Sequence, residues 1–158
     1  YPQARIIALE PVPRTFATMI GNIARNGCEN IESYNIGLGK PGQSTAILNV
    51  NRDGKSGGSS SCDTTNSGHI PTQVNLISLD EALDLYRIDR VKLFKLDVEG
   101  AEYDILYHTH ALPRIDNMAI EIHMNNKLDF DSRRPDGLRN WLMEKVNLVH
   151  VEFCRMNE

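Results

Sequence analysis

The sequence has no CxxC pair, no Walker-type glycine loop and no Ser-His-Asp elbow. These absences exclude a zinc knuckle, a thioredoxin-type motif, a P-loop phosphate site and an α/β-hydrolase triad. No apolar run approaches the roughly 18–20 residues of a membrane span. The first residues lack the basic-then-apolar pattern of a signal peptide. Cysteine is sparse: Cys28, Cys62 and Cys154 are three in number, and read as reduced thiols in the cytoplasm. Positive charge is scarce too. With 17 basic against 21 acidic residues the formal net charge is -4. Gripping a phosphate backbone needs clustered positive charge, so nucleic acid is an unsuitable partner.

What is present is ordinary for a globular chain. Hydrophobic residues make up 41% and charged residues 24% of 158 residues, enough for one domain spanning 1–158. Tyr1 stands almost directly before a strand, an abrupt start that suggests a fragment of a longer protein.

Residues 4–9 are apolar and β-branched, like a buried parallel strand. Glu10 and Pro11 stop it, and Pro13 can open a helix. Phe16, Ile20, Ile23 and Ala24 share one helical face, and Asn26-Gly27 ends that helix. Residues 31–38 read as a second strand. Residues 45–50 read as a third, with an antiparallel partner possible. Residues 51–70 are almost all small and polar and form a long loop, either a surface excursion or a lid. Residues 73–77 follow as a strand. Ser78 and Glu81 make a capping box, with Leu79, Leu83 and Tyr86 facing inward. Residues 91–96 are a strand ending at Asp97. Residues 100–107 are a short helix with Ala101, Ile105 and His108 facing inward. Residues 118–122 are a strand ending near His123, and 125–137 are a polar loop. Leu138, Trp141, Leu142 and Lys145 outline a helix, and 148–153 a last strand. Strands alternating with helices predict an α/β fold, mostly parallel, with helices on both faces.

Open α/β sheets bind ligands at the carboxyl ends of their strands. Here those ends carry Glu10, then Asn35 and Gly37, then Asp97, Glu99 and Glu102, then Glu121 and His123. An acid placed like Glu10 can accept both ribose hydroxyls of NAD or of S-adenosylmethionine (SAM). It can equally cap a helix start. Glu99 and Glu102 suit a helix N-terminus by charge–dipole attraction, which leaves Asp97 as the functional acid. His123 is a candidate base or metal ligand. Asp97, Glu121 and His123 together are a candidate divalent-metal set. Tyr86 and Trp141 read as core, and His108, His110 and His150 as ordinary histidines.

At these residues the chain resembles the FkbM-type methyltransferases, a SAM-dependent family. The matching stretches are IIALEPVPRTFATMIGNIARNG (6–27), NIESYNIGLGKPGQ (30–43), VNLISLDEAL (74–83) and VKLFKLDVEGAEYDIL (91–106). The resemblance implies a Rossmann-like SAM-dependent methyltransferase sandwich. Glu10 with Pro11 would hold the SAM ribose. Asn35, Ile36 and Gly37 would lie beside the adenine, and Asp97 at the reaction edge. Members methylate hydroxyl groups, often on sugars or secondary metabolites. If this chain does the same, the hydroxyl must lose its proton near transfer, with His123, Asp97 or Glu121 as the base or a metal ion lowering its pKa. The family's first strand and glycine-rich turn stand upstream of the "EP" strand and have no counterpart here. That predicts an open sheet edge and a tendency to form homo-oligomers. Two other readings keep the fold: a non-catalytic binding module, and an NAD-dependent enzyme, which Glu10 allows.

Overall fold

The structure, a computed structural model, describes residues 3–51, 69–124 and 135–155. The chain divides into two compact units. One holds Tyr1–Leu38 and Gln43–Ile77, the other Gly39–Gly42 and Ser78–Glu158.

In the first unit, β1 (Ile6–Leu9) runs into α1 (Pro13–Arg25) and returns in β2 (Ile31–Tyr34). β1 and β2 pair in parallel, Ile6 against Ile31 through Leu9 against Tyr34. This is the strand–helix–strand unit that the apolar run and Pro13 predict, but β1 is not the buried strand expected: Ile6 is exposed and the other three residues are half-buried. Asn26 is the C-cap of α1, and Gly27 follows at φ +62°, where glycine is unstrained. The inward face expected of α1 is not buried: Ile20 is exposed, and no residue of the helix is fully covered.

The predicted strand over 31–38 is two strands. After Tyr34 the chain breaks, and β3 (Gly37–Gly39) joins a separate sheet in the order β3-β5-β4. β4 (Thr45–Asn51) and β5 (His69–Ser78) are antiparallel, with Thr45 opposite Asn75 and Asn51 opposite His69. Both outlast their predicted spans, so most of the expected 51–70 loop lies outside the described residues. Gly37 is required by close approach. A Cβ there would sit 2.9 Å from both Leu76 Cδ2 and Pro11 Cβ.

In the second unit, α2 (Leu79–Leu85) starts at the predicted capping box. Ser78 accepts from the Glu81 N–H, and Glu81 accepts from the Ser78 N–H. Leu79, Leu83 and Tyr86 are buried as expected. β6 is only Phe94–Leu96; Val91 makes an isolated bridge to Ile115 instead of beginning the strand. α3 is Glu102–Leu106, so Gly100 precedes the helix. A 3-10 turn over Leu112–Arg114 leads to β7 (Asn117–Met124). Then come α4 (Pro135–Met143) and β8 (Asn147–Arg155). The sheet order is β6-β7-β8, all parallel. Met118, Ile120 and Ile122 alternate along β7 and are fully buried. Leu138 and Leu142 of α4, which packs on β7 and β8, are buried as well. Lys145 lies past the end of α4, with its ammonium 4.8 Å from the Trp141 ring centre. His108 is exposed rather than inward-facing. The predicted polar loop over 125–137 lies outside the described residues up to 134.

No helix among the described residues is long and apolar enough to cross a membrane.

Candidate functional site

The sequence-predicted residues fall into two groups, one in each unit. In the first, β1 ends at Glu10, whose carboxylate turns back on the start of α1. Its Oε1 accepts the Val12 N–H at 2.8 Å. Burial pushes the Glu10 carboxyl above its ordinary value, and the Val12 bond opposes that shift. Asn35 donates its side-chain amide to the carbonyls of Glu10 and Pro11, at 2.9 and 3.0 Å. Asn35 thereby fixes the strand tip. Gly37 closes the group against Pro11, and Ile36 lies between Asn35 and Gly37, half-buried. The five predicted cofactor residues Glu10, Pro11, Asn35, Ile36 and Gly37 are therefore neighbours. They combine an acid at a strand tip with backbone that any larger residue at 37 would displace.

The second group sits where β6 and β7 end. Parallel pairing places Leu96 opposite Ile120, so Asp97, just past the end of β6, lies beside Glu121, which is still inside β7 and paired with Glu152 of β8; the expected strand end near 122 is corrected to Met124. Lys95 joins them: its ammonium is 3.1 Å from Asp97 Oδ2 and 3.5 Å from Glu121 Oε1. Burial alone would lower the Lys95 pKa, but Asp97 and Glu121 outweigh it and raise it.

His123, two residues beyond Glu121, is 5% exposed. Its Nδ1 is 2.7 Å from Glu102 Oε1, and its Nε2 is 3.3 Å from Glu99 Oε2. Glu102 is wholly buried. The same Oε1 also accepts the N–H groups of Val98 and Gly100, at 3.4 and 3.2 Å. Its Oε2 has no hydrogen-bond partner among the described residues, nor has the buried Tyr103 hydroxyl. Burial, then the Glu102 charge, pushes Tyr103 up to about 12. The Glu102 hydrogen bond raises the His123 pKa, and Glu99 and Asp97 add to it; burial opposes them.

The helix-terminus reading is thus corrected for Glu99, while Glu102 does stand in the first turn of α3. Glu99 adopts φ +51°, outside any helix, and faces His123. The Glu102 carboxylate is nevertheless turned inward onto the imidazole. The candidate metal set changes as well. Asp97, Glu99 and His123 bring ligand atoms within 4.8 Å of one another. Glu121, held by Lys95, does not join them. Sequence reasoning passed over Lys95 and missed the contact of Glu102 with His123. The signal for Lys95 was its period-two spacing with Asp97, which puts both on one strand face. For Glu102 there was none, because an acid opening a helix has a sufficient local explanation.

A family model for the Methyltransferase FkbM domain matches residues 2–149, which include every residue of both groups. The chain belongs to the FkbM methyltransferase family. It is 30% identical over 149 residues to "Methyltransferase 1" of Beauveria bassiana (strain ARSEF 2860), covering 82% of this chain and 59% of that protein. It is 28% identical over 137 residues to "Methyltransferase sdnD" of Sordaria araneosa, covering 67% of this chain and 51% of that protein. The chain therefore spans between half and three-fifths of these relatives' lengths. No solved structure matches it. The parallel β1–β2 and β6–β7–β8 pairings with their helices give this FkbM-family chain the α/β class expected of it.

Proposed function

We propose that the protein is a SAM-dependent O-methyltransferase of Rossmann-like build, acting on a hydroxyl of a sugar or secondary metabolite. The observation that supports it most is the FkbM-domain match, because it spans both the Glu10 group and the Asp97–His123 group. The fit to SAM rests on Glu10. A half-buried carboxylate at a strand tip, bonded at one oxygen to Val12, suits ribose hydroxyls. Asn35 bonds the main-chain carbonyls of Glu10 and Pro11, and with Ile36 and Gly37 would border the adenine. When bound, SAM supplies an electrophilic methyl carbon whose bond to sulfur breaks as the acceptor oxygen bonds to it.

The chain's own part is to orient and to move a proton. Transfer requires the acceptor oxygen about 3–3.5 Å from the methyl carbon, and holding it there removes several kcal/mol of barrier. A hydroxyl is a weak nucleophile and must lose its proton during transfer. Asp97, Glu121 and His123 form the edge that takes this proton or holds the oxygen. The small-molecule acceptor and a cytoplasmic setting belong to the same proposal.

Calorimetric titration with SAM tests it. Glu10→Ala should weaken SAM binding by about 1–3 kcal/mol, the scale of hydrogen bonds to a charged group. Asp97→Asn should cut turnover while leaving the melting temperature nearly unchanged. Failure of the wild-type protein to bind SAM would overturn the proposal, and an equal loss of turnover and stability would make Asp97 structural.

A further inference from the structure

His123 presents an unusual arrangement. Its ring is 5% exposed, and Nδ1 is held by Glu102, itself fully buried. In the neutral tautomer that carries its proton on Nδ1, toward Glu102, Nε2 is the lone-pair nitrogen. That nitrogen points at Glu99 Oε2, 3.3 Å away. In that tautomer two acceptors face each other across this distance, and a cation between them would satisfy both. A bound proton is one answer and a metal ion is another.

The local charge count favours the second. Four carboxyl groups, those of Asp97, Glu99, Glu102 and Glu121, face one lysine and one histidine. Lys95 reaches Oδ2 of Asp97 and Oε1 of Glu121, and among the described residues no lysine pairs with Glu99. The Asp97, Glu99 and His123 donor atoms lie within 4.8 Å of one another. Two donors on one tetrahedral ion, each at roughly 2.0–2.2 Å, are about 3.3–3.6 Å apart. Binding would therefore draw the widest pair together by up to about 1.5 Å, a side-chain movement. A histidine whose second nitrogen is held by a buried carboxylate is the usual outer support of a metal-bound imidazole. That support comes from Glu102, which is not itself one of the three donors.

We propose that Asp97, Glu99 and His123 form a site for one divalent transition-metal ion, with Glu102 as the carboxylate that orients His123. One imidazole and two carboxylates suit an ion of the manganese or zinc kind. The remaining positions would go to water or to an acceptor hydroxyl, whose pKa the ion would lower. That last role rests on the methyl-transfer reading. The binding site itself does not.

The test uses metal alone. Titration of the protein with Mn²⁺, followed by electron paramagnetic resonance, should show one ion per chain. His123→Gln and Glu99→Gln should each weaken binding tenfold or more, and Glu102→Gln should weaken it by about 10–100-fold. His108→Ala, on an exposed histidine, should leave it unchanged. A wild-type measurement guards against variants that fail to fold. Zn²⁺ should shift the imidazole ¹⁵N resonance of His123 Nε2 far more than that of Nδ1. Absence of stoichiometric binding, or binding indifferent to His123 and Glu99, overturns the site. Methyl transfer that survives chelation, with metal binding intact, would retain the site and remove only its part in the reaction.

Discussion

Burial and a hydrogen-bonded carboxylate compete at His123, and the carboxylate prevails. At Glu10 the contest ends the other way, since the Val12 N–H does not offset desolvation. A carboxyl with a folded pKa above its unfolded value holds its proton more tightly in the native state. Stability then falls as pH rises through that window and stays lower above it. Glutamine at 10 keeps an acceptor for Val12 and does not titrate. The Glu10→Gln protein should therefore melt higher relative to wild type at pH 7 than at pH 4, while binding SAM more weakly. Equal melting differences at both pH values would deny the burial effect. Asp97 was legible as a strand-end residue, since it follows β6 directly; Glu121 and His123 were expected at a strand end but lie inside β7, which runs on to Met124 because β8 continues to pair with it. The inward turn of Glu102 was not legible. It becomes visible only when β7 is known to bring His123 behind the first residue of α3.

Helix ends were the most legible elements. Pro13 and Asn26-Gly27 mark α1, and the Ser78–Glu81 box marks α2, because capping depends on a few adjacent residues. Ser78→Ala removes the hydroxyl that accepts the Glu81 N–H and should cost about 1 kcal/mol, read from urea unfolding. No change would mean that water replaces the cap at no cost. Strand boundaries were less legible. Residues 31–38 look continuous in polarity, yet they divide between two sheets, and the close packing of Gly37 on Pro11 and Leu76 is non-local. Gly37→Ala should destabilise the protein by about 1–3 kcal/mol, the range for overpacking. A neutral result would show that Leu76 moves aside.

At the scale of the whole molecule, ligand binding and folding are linked. If SAM binds the native chain alone, a hundredfold excess over its dissociation constant adds about 2.7 kcal/mol. Differential scanning fluorimetry should show that rise with wild type and a smaller one, about 0.3–1.8 kcal/mol at the same SAM concentration, with Glu10→Ala. A matching rise in both proteins would place SAM elsewhere.

Glu99 has a consequence for anyone who improves this protein by selection. A left-handed backbone costs a residue with a Cβ roughly 1–2 kcal/mol, whereas glycine's extra flexibility costs about 0.5–1. Glycine at 99 should therefore come out ahead on melting temperature. A campaign that ranks variants by heat tolerance would enrich Glu99→Gly and Glu10→Gln together. The hardiest descendants would have shed two acids on which the proposed chemistry depends, so such libraries need a ligand-binding filter beside the thermal one.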